Sequence, residues 1–476
     1  MTRRVVEKEV KLDLVENPIP INYDEVPEYT REDYEARIEK VLEFCDQRGY
    51  SHLIVYGDRE HFSNIHYLTG LDPRFEEALL ILQRGKNPKM LLGNECYVYA
   101  GMIEIDIDLI LYHPFSLIGQ PVGNDSTLLD LFKECGIDET SKVGITGWKY
   151  YDPGFFNLDV SILDIPGYIV ETLCQLTDRR NLHNAMDIFI HEEYGIRNNI
   201  SAKEIINFEA NGTKASRSVY NVIKNLREGI SEIEASAYLC IDGEPLSMHP
   251  NVNFGDVNTS YGVRGPTYHQ KLKLGDTICV GMAYRGSLVH RAGVYINSPD
   301  DLTEAQREIR EYFFHTYFKS IAGYYENFKI GNTCGQIYDA VDKTLGGGRP
   351  GGIKKFGIGL CPGHLIHTEE WTSSPFSKGN KTPIRSGMNV QCDYTVMHHD
   401  PYLTAHIEDG FAVADEELRN EVKKLSPSCY ARIEARQKFM REVLGINLPD
   451  EVLPLSDLSG VFFPYMANTG IVLSLE

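Results

Sequence analysis

Residues 386–410 read SGMNVQCDYTVMHHDPYLTAHIEDG and combine apolar, strand-like runs with a dense set of histidines and carboxylates. Short apolar runs that end at turn residues are typical of β-strands. The block 384–415 therefore predicts a pair of strands. Asp393, His406 and Glu408 lie on this predicted pair.

A second stretch of the same kind, GHLIHTEE at residues 363–370, precedes the strand pair. Imidazole and carboxylate groups together suit Zn²⁺, Mn²⁺ or Fe²⁺, and they also suit general acid–base catalysis. Exposed histidines and carboxylates at strand ends are common in proteins. Composition alone therefore leaves a purely structural role open.

Outward from these stretches the chain divides into three parts. Residues 1–30 are charged and rich in proline, which predicts an extended arm. Helix-like and strand-like segments alternate over 31–190, which predicts an α/β domain of ordinary size. Long helices followed by strands occupy 195–476 and predict a second, larger domain.

Local signals predict individual elements. Thr30 is a helix cap and Gly49 a helix stop, and Ser201 with Glu204 forms a possible capping box at the start of another helix. A single charged helix is predicted over residues 416–444.

The composition limits the classes of partner. Acidic residues (68) outnumber basic ones (47), and the net charge of −21 is spread along the chain. Such a surface repels phosphate backbones and anionic lipid headgroups, which argues against nucleic acid and membranes as main partners. The ten cysteines form no Cys-x-x-Cys pair, and we expect small buried thiols in a cytoplasmic protein.

Six short motifs follow one another in an order that resembles the creatinase/aminopeptidase P (M24, "pita-bread") superfamily. They are Ile196–Ile205, Gly229–Glu234, Leu274–Ile278, Gly363–Ile366, Ser386–Val390 and Ile407–Gly410. The likeness covers most of residues 30–415. It implies an α/β (α+β) fold with a ribonuclease-H-like amino-terminal domain and a pita-bread catalytic domain, in which helices back a curved antiparallel sheet. It also implies a homodimer.

Members of this superfamily that bind two metals use two Asp, one His and two Glu as ligands. The first Asp position falls on Gly281, which has no ligand atom. The other four positions fall on the metal-competent residues His290, His364, Asp393 and Glu408. The resemblance thus implies one divalent transition metal (Zn²⁺, Fe²⁺ or Mn²⁺) or a metal-free polar cluster, and it argues against a site for two metals.

Three residues close to His364 are candidates for catalysis. His367, Glu369 and Glu370 stand where members of the superfamily carry side chains that handle substrate and protons. The resemblance does not identify which of them is the general base.

Five further residues are candidates for substrate binding. Arg264 stands where the creatinase branch has a catalytic histidine, and its guanidinium suits a substrate carboxylate. Tyr261 and Trp371 offer aromatic rings, and Trp371 suits a cationic or N-methylated substrate. His398 and His406 are also candidates for substrate binding. His406 stands where members of the superfamily commonly carry an arginine.

The leading hypothesis is a hydrolase or lyase acting on a C–N (or similar) bond of a small polar molecule. The substrate would be an amino-acid-derived or N-methylated metabolite, and the His/Asp/Glu site would hold at most one metal. One alternative is an Xaa-Pro aminopeptidase or dipeptidase with an altered metal site. Another is a non-catalytic binding protein of the same fold, in which the metal-competent side chains would not converge.

Overall fold

The computed structural model describes residues 5–9, 12, 18–123, 126–345, 362–369 and 371–476. These residues form two compact units. One unit comprises residues 28–197, and the other comprises residues 198–476 together with the described residues before 28.

The β-strands are numbered in chain order. Their bounds are β1 (Val5–Glu9), β2 (His52–Gly57), β3 (Ala78–Leu82), β4 (Lys89–Leu92), β5 (Asp108–Leu111), β6 (Val143–Thr146), β7 (Leu182–Asn184), β8 (Leu246–Phe254), β9 (Thr277–Tyr284), β10 (Ser287–Val294), β11 (His364–Leu365), β12 (Asn389–His399), β13 (Tyr402–Val413), β14 (Val452–Pro454) and β15 (Ile471–Leu475).

The α-helices are α1 (Arg31–Arg48), α2 (Ser63–Thr69), α3 (Asn94–Tyr99), α4 (Leu128–Glu134), α5 (Gly167–Leu173), α6 (Asp187–Ile190), α7 (Ala202–Lys224), α8 (Glu232–Ser236), α9 (Asp256–Ser260), α10 (Glu304–Glu326), α11 (Cys334–Leu345), α12 (Glu416–Leu425) and α13 (Pro427–Glu442). Short 3₁₀ helices occur at Tyr23–Glu25, Ala100–Met102, His113–Phe115, Pro153–Phe156, Arg179–Asn181, Ile196–Asn198, Ala237–Leu239 and Pro299–Asp301. None of the described helices is both long and apolar enough to cross a lipid bilayer.

The unit of residues 28–197 is a three-layer α/β/α domain. Its sheet has the strand order β5–β4–β3–β2–β6–β7, and only β3 runs antiparallel to its neighbours. Leu53 of β2 faces a core shared with α1, whereas Ile54 faces a core shared with α4 and α5. A sheet buried on both faces in this way agrees with the predicted ribonuclease-H-like domain.

Helix α1 shows how local sequence sets the boundaries in this unit. Thr30 and Asp33 form a reciprocal capping box at its start. Gly49 ends the helix in the left-handed conformation with φ of 68°, which a residue without Cβ adopts at little cost. Both signals were predicted from the sequence, and both are confirmed.

The second unit is built on an antiparallel sheet. Its strand order is β11–β12–β13–β10–β9–β8, and β14 adds to β13 beside this path. Helix α7 packs against β9 and β10, and the capping box of Ser201 and Glu204 is present at its start. Helix α10 buries Phe314, Tyr317 and Phe318 in the main hydrophobic core. This arrangement agrees with the predicted pita-bread domain.

Two predictions about chain organisation differ from the structure. The arm predicted over residues 1–30 contains β1, which pairs antiparallel with β15 and so joins the second unit. The single helix predicted over 416–444 is two helices, α12 and α13, because Pro427 lacks an N–H and cannot continue α12. Instead Pro427 occupies the first turn of α13, where a missing N–H costs nothing.

The cysteines that the structure describes are all unpaired thiols, and all but Cys174 and Cys240 are buried. This agrees with the expectation of small buried thiols.

A buried ion-pair network connects α7 with α13. Glu209 Oε2 lies 2.5 Å from Arg432 Nη2, and Glu209 Oε1 lies 2.6 Å from Arg436 Nη1. Arg436 also lies 2.7 Å from Asp457, and all four side chains are almost fully buried. Buried charges of this kind are tolerated only when each one is paired.

We predict that Glu209→Gln destabilises the protein by about 3–5 kcal/mol, because two buried guanidinium groups lose their shared carboxylate. The free energy of unfolding from urea denaturation measures this change. The matched control is Glu442→Gln, which breaks an exposed i,i+4 pair with Lys438 on α13 and should cost at most about 0.5 kcal/mol. A loss below about 1 kcal/mol for Glu209→Gln would contradict the role assigned to the network.

Candidate metal centre

Five neighbouring strands place one residue each in a single row across the sheet of the second unit. Asn251 of β8 pairs with Gly281 of β9, and Gly281 pairs with His290 of β10. His290 pairs in turn with Glu408 of β13, and Glu408 pairs with Asp393 of β12. Directly paired residues in antiparallel strands project from the same face of the sheet. The row therefore gathers on one face residues that are far apart in sequence.

His364 of β11 completes a three-residue cluster with Asp393 and Glu408. Its Nε2 lies 3.7 Å from Asp393 Oδ2 and 3.7 Å from Glu408 Oε1. One ligand atom from each of the three residues lies within 4.8 Å of the others. One nitrogen and two carboxylate oxygens suit a single Zn²⁺, Fe²⁺ or Mn²⁺.

A hydrogen bond to the backbone orients the His364 ring so that Nε2 can bind a metal. His364 Nδ1 lies 3.2 Å from the carbonyl oxygen of Leu365. Because a carbonyl only accepts hydrogen bonds, Nδ1 is the donor in this contact, and Nε2 is directed at the two carboxylates. Backbone carbonyls orient metal-binding histidines in this way in many proteins. The residues present therefore fit a divalent metal.

Two further histidines extend the cluster on the side away from His364. His406 Nε2 donates to Asp393 Oδ1 over 3.0 Å, and the Nδ1 atoms of His406 and His290 are hydrogen-bonded to each other over 2.8 Å. Burial raises the pKa of Asp393, but the hydrogen bond from His406 outweighs it and holds that pKa at about 2. Burial and the neighbouring His406 lower the pKa of His290 well below its ordinary value, so His290 is neutral at pH 7.

The ring of His290 takes up the space beside Gly281. A Cβ atom built on Gly281 would lie 2.5 Å from His290 Cδ2, closer than real Cβ contacts allow. His290 can adopt this position because residue 281 has no side chain. Its Nδ1 is engaged by His406, and it stands outside the cluster of His364, Asp393 and Glu408. Of the four residues predicted to bind a metal, three form the cluster, and His290 lies beside it.

Arg291 fixes the neighbouring strands from the other face of the sheet. It is almost fully buried, and its Nη1 donates to the carbonyl oxygens of His290 (2.7 Å) and Glu408 (3.0 Å). Its Nη2 lies 2.8 Å from both carboxylate oxygens of Asp409. These bonds join β10 to β13 at the two residues of the row.

A cavity of about 170 Å³ opens beside the cluster. Asp393, Glu408, His290 and His406 are among the residues that line it. Glu408 and His364 are buried, whereas about a third (37%) of the Asp393 side chain is exposed. Asp393 is therefore the most accessible of the three cluster residues.

The predicted catalytic residues occupy different surroundings. His367 is buried, and its Nε2 lies 3.2 Å from Glu204 Oε1 of α7 while its Nδ1 lies 2.8 Å from Thr368 Oγ1. Both ring nitrogens are thus engaged outside the cluster of three. Glu369 is half-buried and does not line the cavity, and Glu370 lies outside the described residues.

Of the five residues predicted to bind substrate, only His406 lines the cavity. Arg264 and Tyr261 are exposed, and the Arg264 guanidinium donates to Asn258 Oδ1 over 2.7 Å. Trp371 is exposed as well. His398 follows Asp393 by an odd number of residues and so projects from the opposite face of β12, where its Nδ1 donates to the carbonyl oxygen of Pro401. The structure therefore does not support substrate binding by His398 in the cavity.

Several residues that line the cavity were not predicted from the sequence. Thr395 and Met397 follow Asp393 at intervals of two along β12, and Thr404 precedes Glu408 by four along β13. Their two-residue periodicity could have identified them, because alternate residues of a strand share a face. Asn251 comes from β8, and no local sequence signal connects it with the cluster.

Comparison with known proteins gives matches among solved structures. No family model and no curated protein matches the chain. The prolidase from Thermococcus sibiricus superposes with a TM-score of 0.61 at 18% identity, over 81% of this chain and 95% of that chain. The Xaa-Pro dipeptidase from Bacillus anthracis superposes with a TM-score of 0.58 at 14% identity, over 81% of this chain and 96% of that chain. The X-Pro aminopeptidase from Thermotoga maritima superposes with a TM-score of 0.57 at 14% identity, over 80% of this chain and 95% of that chain.

These likenesses extend over most of the chain and nearly all of each matched structure, at identities below 20%. They agree with the two sheets described above. The chain has the creatinase/aminopeptidase P-like, pita-bread fold.

Proposed function

We propose that this chain is a metal-dependent hydrolase that cleaves a C–N bond in a small polar molecule, with one metal held by His364, Asp393 and Glu408. The observation that carries the proposal is the convergence of these ligand atoms within 4.8 Å of one another. Support also comes from solved structures of the same fold, which are those of a prolidase and of Xaa-Pro peptidases.

A divalent metal supplies Lewis acidity and a lowered pKa for its bound water. The residues of this chain hold and orient the groups around it. The Nδ1–H of His364 points to a carbonyl and leaves Nε2 available, and His406 engages one oxygen of Asp393 so that Oδ2 faces His364. Gly281 provides no further ligand, which favours one metal over two.

An Xaa-Pro dipeptidase with an altered metal site is the second candidate. The likeness to solved structures favours it, since a prolidase and an Xaa-Pro dipeptidase share this fold with the chain. A non-catalytic binding protein is less favoured, because that hypothesis expects the metal-competent side chains to lie apart. Three of the four lie together.

We predict that protein purified without chelators contains about one metal ion per chain. His364→Ala should remove most of it, because the cluster loses its only nitrogen ligand. Elemental analysis by mass spectrometry measures the stoichiometry.

The matched control is His399→Ala, which changes an exposed histidine on β12 and should leave metal content unchanged. Two metal ions per chain would contradict the argument from Gly281. Full metal content in His364→Ala would show that the site lies elsewhere.

We predict that His406→Ala lowers metal affinity about 10- to 100-fold, because Asp393 loses the hydrogen bond that orients its carboxylate. Isothermal titration with Mn²⁺ or Zn²⁺ measures the affinity. His406→Gln retains an N–H donor and should recover part of the loss. Equal affinities for the wild type and His406→Ala would exclude this positioning role.

We predict that the metal-loaded protein hydrolyses small amides or Xaa-Pro dipeptides, and that Glu408→Gln lowers the turnover at least about 100-fold because the metal is lost. A colorimetric assay of the released amine measures the rate, with His399→Ala as the control. Turnover that survives chelation and Glu408→Gln would refute a metal-dependent reaction at this site.

A further inference from the structure

One loop of the second unit forms part of the cavity wall and is also open to solvent. The loop comprises residues 255–267, which follow β8 and include α9. Thr259, Gly262 and Val263 of this loop line the cavity. Residues 260–264 at its tip are all exposed, and Val263 is 62% exposed although it lines the cavity. The tip therefore lies between the cavity and the solvent.

A single buried carboxylate holds the two ends of loop 255–267 together. Glu232, at the start of α8, accepts hydrogen bonds from Phe254 N (2.7 Å) and Asn258 Nδ2 (2.9 Å) at one end. It also accepts hydrogen bonds from the backbone N–H and the hydroxyl group of Thr267 (2.8 and 2.6 Å) at the other end. Compact surface loops whose ends are held close together in this way are often functional.

Two side chains of β8 hold the tip of the loop against the sheet. Asn251 Nδ2 donates to the carbonyl oxygen of Gly262 over 3.2 Å, and His249 Nε2 donates to that of Val263 over 2.7 Å. Because these bonds come from side chains, they can break while β8 stays paired with β9. His249 is exposed, so water can replace its bond to the loop. Exposed hydrogen bonds of this kind are typical of segments that open locally.

Contacts within the loop brace its tip. Arg264 Nη1 donates to Asn258 Oδ1 over 2.7 Å, and the Arg264 guanidinium lies 5.6 Å from the centre of the Tyr261 ring. A cation over an aromatic face is a favourable contact. Arg264 and Tyr261 were predicted to bind substrate, yet in the structure they contact their own loop. These internal contacts allow the tip to move as one body.

We propose that loop 255–267 is a lid over the cavity, and that His249 and Asn251 are positioning residues that hold it closed. Opening of the tip widens the path from solvent to Asp393 and Glu408, while Glu232 keeps the ends of the loop in place. Lids of this kind admit a substrate and then exclude water from the reacting groups. The role in substrate entry rests on the proposed function, whereas the opening of the loop does not.

Two cysteines of the sheet allow the opening to be measured. Cys279 of β9 lines the cavity and is 2% exposed, and its Sγ lies 3.6 Å from Asn253 Oδ1. Asn253 Nδ2 in turn lies 3.5 Å from the carbonyl oxygen of Gly265 in the loop. Cys392 of β12 is the matched control, because it is fully buried in the main hydrophobic core and does not line the cavity. A reagent reaches Cys392 only when the sheet unfolds, whereas it reaches Cys279 when the lid opens.

The experiment treats the intact chain with excess methyl methanethiosulfonate and follows the labelling of each cysteine by mass spectrometry of its peptides. We expect Cys279 of the wild type to react at least about tenfold faster than Cys392, because local opening costs less free energy than global unfolding. His249→Leu and Asn251→Leu should each speed the labelling of Cys279 about two- to tenfold, the range for one lost hydrogen bond, and leave Cys392 unchanged. His249→Gln retains an N–H donor and should return the rate toward that of the wild type.

Equal labelling rates of Cys279 and Cys392 in the wild type would overturn the proposal, as would an unchanged Cys279 rate in either leucine variant. A parallel rise for both cysteines would also overturn it, because the variants would then act on global stability. Turnover is measured separately. If Cys279 reacts as expected and no C–N bond is cleaved, the lid is supported and the proposed hydrolase is not. If the metal-loaded protein is active and Cys279 reacts no faster than Cys392, the hydrolase stands and the lid is wrong.

Discussion

The antiparallel register of β10, β13 and β12 is the constraint on which the candidate site depends. A slip of one residue in β13 would turn Glu408 to the opposite face and bring the Asp409 position into the row. Arg291 opposes such a slip, because one guanidinium bonds the carbonyl oxygens of His290 and Glu408 and the carboxylate of Asp409. Strand pairing and the placement of the cluster are therefore fixed by the same buried contacts.

Local sequence predicted the elements better than it predicted the contacts of the site. Thr30 and Gly49 bound α1 as expected, because caps and stops act within a few residues. The pairing of His367 with Glu204 joins residues 163 positions apart, and no local pattern encodes it. For the same reason Glu204 was predicted only as part of a capping box, although its other carboxylate oxygen contacts His367.

The metal ligands were predicted from the spacing of motifs, and spacing does not report the space that each side chain occupies. By position His290 was expected to be a ligand, yet in the fold its ring occupies the space that a Cβ atom on residue 281 would need, and its Nδ1 faces His406. The glycine at 281 and the histidine at 290 therefore depend on each other. A side chain at 281 would require His290 to move, and any movement of His290 would alter the hydrogen bond on which His406 and Asp393 depend.

Charge balance is a second constraint on the cluster. Asp393 and Glu408 bring two negative charges close together, and His290, which is neutral at pH 7, does not compensate them. A divalent cation would neutralise the pair, and because it binds the folded chain it would also stabilise the fold. Metal binding and the stability of the second unit are therefore linked through the same two carboxylates.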